Sequence, residues 1–201
     1  MGLVELASGE HVALKHVAVG DVVAAVDDVQ GRKVFSEVYD FSSARPNVTS
    51  LGVELVWADG GSLVLSAPHN VFASRDGVEA PRAMRADSVR AGMFMWVCSA
   101  GGDLLTAQRV VKTLTAERTG WVTPLTRQGT IVVNGAAASV YVYFDHGFAH
   151  NAFAALRWLR FLVPAAAQLP EAGKHWYLRA LHGLLRDNFA GSFIATAVAS
   201  A

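Results

Sequence analysis

The chain has 201 residues, of which 52% are hydrophobic and 17% charged: enough apolar surface for a sizeable core and too little charge for a disordered segment. Its 17 basic and 17 acidic residues cancel, so no charge excess asks for nucleic acid or an anionic membrane. The single cysteine, Cys98, excludes an internal disulfide and a multi-cysteine zinc site.

The start, MGLVELASGEHVALKH, has no basic segment followed by a long apolar run, so no secretory signal is read there. No window reaches the roughly 18 uninterrupted apolar residues of a spanning helix. From the start to about residue 144 the pattern predicts strands: LVEL, HVALKHV, DVVAAV, KVFSEVYDF, LGVELVWA, SLVLS, MFMWVCS, LLTAQRVVKTLTAE, WVTPLT, TIVVNG and ASVYVYF. Turn signals such as ASGE, AVGD, DDVQG, ADGG, SAGGD and RQGT separate them. Many short strands at close spacing predict an all-β domain. After residue 145 the period changes. Phe153, Leu156 and Leu159 fall at helical spacing, and so do Trp176, Ala180, Leu181, Leu184 and Leu185. VPAAAQLPEAG joins these two pieces, and SFIATAVASA has little to pin it. The expected division is a β domain over 1–151 and a helical tail over 152–201. The tail reads either as amphipathic helices packed on the β body or as an apolar surface for a lipid or sterol. Trp158, Trp176 and Tyr177 suit a membrane edge.

The polar candidates are few. In LVLSAPHNVF, residues 63–72, a strand stops at Ser66-Ala67-Pro68 and resumes after His69. Alone, a serine and a histidine three apart read as a turn with a hydrogen-bonded imidazole. His146 and His150 lie one helical turn apart. A metal would suit that spacing, but the glutamate of a metalloprotease helix is absent, so a structural role is preferred. Cys98 reads as a core thiol, and His175 as a surface or interface group. No Gly-rich phosphate loop appears, and no cofactor is expected.

Several segments, in order, resemble one family. PLTRQGTIVVNGAAASVYVYFDHGFAHNAFAALRWL, residues 124–159, is similar to a segment with APLT, GTI, ASCY and an AH-x-AFAP-like run. VALKHVAVGDVVAAVDD (12–28), RADSVRAGMFMWV (85–97), LVLSAPHNVF and GKHWYLRALHGLL add to the likeness. Together they resemble the C-terminal autoprocessing domain of Hedgehog proteins, a member of the Hint (Hedgehog/intein) group. The resemblance implies a Hint fold of two pseudo-symmetric β lobes with a sterol-recognition-like tail. It also implies an intramolecular N-to-S acyl shift that gives a thioester. The acyl group then passes to a sterol, another nucleophile or water, releasing a covalently linked upstream domain. It places the protein in the secretory pathway, extracellular or membrane-associated.

By the same resemblance His69 is the acid/base, since an imidazole exchanges protons near neutral pH. Ser66 stands where the family has threonine and keeps the hydroxyl. Three departures follow. The family's nucleophilic cysteine stands a few residues before the LVEL-like strand, where this sequence opens Met1-Gly2-Leu3-Val4. The expectation is therefore either a fragment or altered version of an autoprocessor, or a non-catalytic binding module that keeps the fold. The acid that activates the sterol falls near Ser43, with Asp40 as the substitute if the register shifts. The second cysteine, in ASCY, becomes Val140.

Overall fold

The computed structural model describes residues 2–98, 102–142, 145–154 and 157–158. They belong to one compact unit, residues 1–159. A separate unit, residues 160–201, lies outside the described residues, and with it nearly all of the expected helical tail.

The unit is built from strands, as the spacing of apolar runs and turn residues predicts. In chain order they are β1 (Leu3–Glu5), β2 (His11–Ala13), β3 (Val22–Asp27), β4 (Arg32–Trp57), β5 (Ser62–Leu65) and β6 (His69–Ser74). Then come β7 (Arg82–Arg85), β8 (Phe94–Cys98), β9 (Leu105–Thr126), β10 (Thr130–Val133) and β11 (Ala136–Val142). A helix, α1 (His146–Ala152), follows. β1 pairs with β2. The other strands form a sheet in the order β10-β11-β6-β8-β9-β4-β3, with β5 added against β4 and β7 against β6. Every pairing is antiparallel.

The sequence predicts KVFSEVYDF and LGVELVWA as separate strands, and likewise LLTAQRVVKTLTAE and WVTPLT. The structure fuses each pair into a single long strand, β4 and β9. The cause is non-local. Each is the other's ladder partner, from Val38 opposite Thr126 to Trp57 opposite Val110. Four shifts of register absorb what a regular ladder rejects. One, between Arg45 and Thr49, takes in Pro46, which has no N–H to give.

The two lobes share one recurring device. Leu14–His16 and Ala86–Ser88 are single 3-10 turns, each followed by a valine in extended conformation, Val17 and Val89. Gly20 and Gly92 then both take φ 97, a conformation that glycine adopts without penalty. The Gly20 N–H donates to Val38 O and the Gly92 N–H to Val110 O, each at 2.8 Å. Asp21 O and Met93 O accept from the Val38 and Val110 N–H groups at 2.8 and 2.7 Å. The sequence segments behind these turns are AVGDVV and RAGMFM. β4 and β9 start in equivalent places and then exchange lobes.

The core forms where the strands cross. Ala24, Val26, Phe72, Val132 and Ala137 are buried together, with Ala83, Trp96, Cys98 and Leu105 packed against them. Asn134-Gly135 joins β10 to β11 as a two-residue hairpin with positive φ at both positions, 52 and 82. The Asn134 side chain also anchors β1. Its Oδ1 accepts from the Leu3 N–H at 2.7 Å, and its Nδ2 donates to Ser62 O at 2.8 Å. Asn134→Ala removes both bonds and puts a Cβ-only residue at positive φ. The expected loss is about 2–3 kcal/mol, read as a lower urea midpoint with unchanged slope.

Candidate functional site

The break in LVLSAPHNVF is a tight turn between β5 and β6. The His69 N–H donates to Ser66 O at 3.0 Å, so the serine and the histidine are the two ends of one turn. The Asp87 N–H pins its middle by donating to Ala67 O at 3.0 Å. His69 is the first residue of β6 and lies opposite Val142 of β11. Its ring is therefore held at a strand end, where the backbone is already fixed by pairing.

The His69 Nε2–H donates to Ser139 O at 2.7 Å. A carbonyl only accepts, so Nε2 carries the proton and Nδ1 keeps the lone pair. Burial holds the His69 pKa below the ordinary imidazole value, and the bond to the Ser139 carbonyl opposes this only in part. At pH 7 the ring is neutral, with Nδ1 as a base. A neutral imidazole so held can take a proton from a thiol or hydroxyl and return it to a departing amine.

Ser139 is fully buried and is tied down on three sides. It lies opposite Thr130 of β10. Its Oγ accepts the Tyr141 N–H at 3.0 Å and contacts His146 Nδ1 at 2.9 Å. Thr130 in turn stitches the lobes: its Oγ1 donates to Val26 O at 2.7 Å and accepts the Val26 N–H at 2.8 Å. The Thr126 Oγ1 donates to Thr130 O at 2.7 Å, and Gly129 between them takes φ 82. The PLTRQGTI motif is thus a brace for the strand that supports His69.

Ser43 and Asp40 stand on β4, opposite Thr123 and Leu125. Asp40 is buried, at 4% exposure, and its Oδ1 accepts the Phe41 N–H at 2.9 Å. Ser43 is half-buried, beside a shift of register. Val140 is buried between Ser139 and Tyr141, with its N–H donated to Gly129 O at 3.0 Å. Cys98 is half-buried on β8, and its thiol donates to Gly102 O at 2.8 Å. Burial raises its pKa, which suits an inert thiol.

His146 and His150 sit on α1 with stacked rings, centroids 6.0 Å apart. Asp145 caps this short helix, its Oδ1 accepting the Phe148 N–H at 3.0 Å, which offsets Gly147. Neither ring is set as a metal ligand: Nδ1 of His146 meets Ser139 Oγ, and Nδ1 of His150 meets the Tyr141 hydroxyl at 3.1 Å. Among the described residues no three His, Cys, Asp or Glu side chains gather as a metal site. Arg157 closes this corner, donating to Tyr141 Oη at 3.1 Å and His150 O at 2.7 Å. Sequence reasoning read Asp28 as a turn residue and gave Ser139 and Arg157 no role. Ser139 could have been found only as part of the matched ASVY motif.

Burial lowers the pKa of His69 and His146, and burial with Arg157 nearby lowers that of His150 to about 4. These rings must be neutral in the fold, whereas the unfolded chain protonates them near pH 6.5. The stability they contribute is full above that value and is lost as pH falls toward 4. The melting temperature is expected to drop by at least about 5 °C between pH 7 and pH 5, a loss seen by circular dichroism.

The two β lobes with their repeated turn define the class of fold, and a family profile agrees. A profile described as the Hint module matches residues 1–187. The chain belongs to the Hint module family. It is 34% identical to "Protein hedgehog" of Drosophila hydei, over 88% of this chain and 40% of that one. It is also 34% identical to "Sonic hedgehog protein" of Danio rerio, over 90% of this chain and 46% of that one. The chain thus spans less than half the length of these relatives. Solved inteins share the fold. A variant of the Ssp DnaB mini-intein superposes with a TM-score of 0.58, over 72% of this chain and 90% of that one, at 13% identity. A DnaB intein from Synechocystis sp. PCC 6803 gives 0.57 over 70% and 95%, also at 13% identity. Among the described residues no helix is long and apolar enough to cross a membrane.

Proposed function

We propose that this chain is the autoprocessing module of a larger Hedgehog-type protein. The observation that carries the reading is the neutral His69, its Nε2–H held by Ser139 O and its Nδ1 left basic, in a chain of the Hint family. A cysteine at the junction with an upstream domain supplies the thiol. Nδ1 accepts the S–H proton as sulfur attacks the preceding carbonyl carbon. The C–N bond breaks, and the imidazolium returns the proton to the leaving nitrogen. The product is a thioester and a free amine. Ser66, at the other end of the turn, polarises the scissile amide through its hydroxyl. A sterol hydroxyl, another nucleophile or water then takes the acyl group, with Asp40 or Ser43 beside the acceptor. The upstream domain is the covalent partner, a sterol is the co-substrate in the lipid branch, and the setting is the secretory pathway. Residues 152–201 form the sterol-recognition tail in this reading.

A second reading is a Hint-fold binding module without chemistry. Val140 and Ser43 favour it, because neither side chain can replace a thiol or a carboxylate. One experiment separates the two. A reporter ending in Gly-Cys-Phe-Pro is fused ahead of Leu3 and incubated with and without dithiothreitol. Reporter released by the thiol, with the mass of its thioester-exchange product, supports autoprocessing. An intact, folded fusion supports the binding module.

A further inference from the structure

A second histidine stands behind the first. His146 Nδ1 lies 2.9 Å from Ser139 Oγ, and its Nε2 faces the Asp28 carboxylate at 3.7 Å. Asp28 lies on the turn after β3, so the group is assembled from three separate parts of the chain. The carboxylate favours the proton on Nε2, which leaves Nδ1 to accept from the Ser139 hydroxyl. The order resembles a nucleophile, a base and an acid. However, Ser139 is completely buried, and its Oγ already accepts the Tyr141 N–H. It therefore has no access to a substrate. What it does have is a carbonyl 2.7 Å from His69 Nε2.

We propose that His146, steadied by Asp28, is a positioning residue that acts through Ser139 to fix the carbonyl holding His69 in its Nε2–H form. This deepens the autoprocessing reading and rests on it for its consequence in catalysis. The physical logic is that of a support. The hydroxyl of Ser139 bonds outward to His146 and inward to the Tyr141 N–H, so the peptide unit after Ser139 has little freedom to rotate. A carbonyl so fixed selects one tautomer of the ring it receives. His146 has no bulk water to replace its role, because it is buried and its ring edge is covered by Phe72, with centroids 5.3 Å apart. Among the described residues the charged or titratable groups around His146 are Asp28, Asp145, the stacked His150 and Tyr141, whose ring centroid is 5.7 Å away.

The coupling can be read without any cleavage reaction. Imidazole nitrogen NMR on the chain as it stands reports the tautomer and titration of His69. In the parent protein a single Nε2–H tautomer is expected. In His146→Ala the His69 signals should become those of a mixture of tautomers, and in His146→Gln, whose amide oxygen can accept from Ser139 Oγ, the single form should return. Asp28→Asn changes a carboxylate that is 38% exposed on a turn and should keep the fold; it should shift His69 in the same direction by a smaller amount. In the reporter fusion, His146→Ala should slow thioester formation by roughly tenfold, with recovery in His146→Gln. An unchanged His69 tautomer in folded His146→Ala overturns the proposal, as does an unchanged tautomer in Asp28→Asn if His146→Ala does not fold. A parent fusion that never cleaves, with the tautomer still following His146, removes the autoprocessing reading and leaves the coupling standing.

Discussion

In the reporter fusion, His69→Ala is expected to slow release by at least about 100-fold, the usual scale of a lost general acid–base group. The expectation follows from the economy of the site. An amide is a poor electrophile, and its nitrogen leaves only when protonated, so one group must both take and return a proton. His69 has the geometry to do so, with Nε2–H fixed on Ser139 O and Nδ1 basic. The fold should survive the change, because the backbone bond to Ser66 O and the pairing opposite Val142 are kept. Circular dichroism of the variant checks this. Ser66→Ala should have a smaller effect, roughly tenfold, since a single neutral hydrogen bond to the amide is lost. Release by His69→Ala at the parent rate would show that the proton is carried by another group. The pH–rate profile gives a second check. Because burial lowers the His69 pKa, the basic form should persist to below the usual imidazole range, and the thioester step should stay fast into mildly acidic buffer.

Trp57→Ala is the structural counterpart, with an expected loss of about 3–5 kcal/mol. Trp57 is 1% exposed and ends β4 opposite Val110, where the long strand arrives in the second lobe. The turn that follows wraps its backbone: the Trp57 N–H donates to Gly61 O at 3.1 Å, and Trp57 O accepts from the Gly60 N–H at 3.0 Å. Gly61 packs so closely on the indole that a Cβ there would overlap the ring. Truncation therefore opens a cavity that a tight turn and a paired strand cannot collapse. Urea unfolding should show the midpoint fall sharply. Val29→Ala, at a residue 91% exposed, should stay within about 0.5 kcal/mol and serves as the control.

The strand-rich body was legible because its punctuation is local. The turn signals AVGD at Gly20 and RQGT at Gly129 mark ends of strands in the sequence itself, whereas the Asn134-Gly135 turn was read as part of the strand TIVVNG. The continuity of β4 and β9 was not legible. Nothing within SSARPNVTS says that the strand goes on, since the reason lies on β9, far along the chain. The site divides in the same way. His69 and Ser66 could be singled out from a turn and an ordered likeness. Ser139, His146 and Asp28 could not be assembled, because their link is made only when β11, α1 and the turn after β3 come together. His146 and His150 read in the sequence as structural residues at a spacing a metal would also suit. In the fold the Nδ1 of His146 is engaged by a serine hydroxyl.

The exchange of β4 and β9 between lobes has a further consequence. Each half of the molecule closes with an arm borrowed from the other, the arrangement seen when two identical proteins trade a segment. Here the trade is within one chain. Neither lobe can be completed by its own residues, so the ladder from Val38–Thr126 to Trp57–Val110 must join distant parts of the sequence before either core is sealed. Such contact order makes for slow folding and for strong all-or-none behaviour. It also means that neither half can open alone, because loosening one unzips the ladder on which the other is closed.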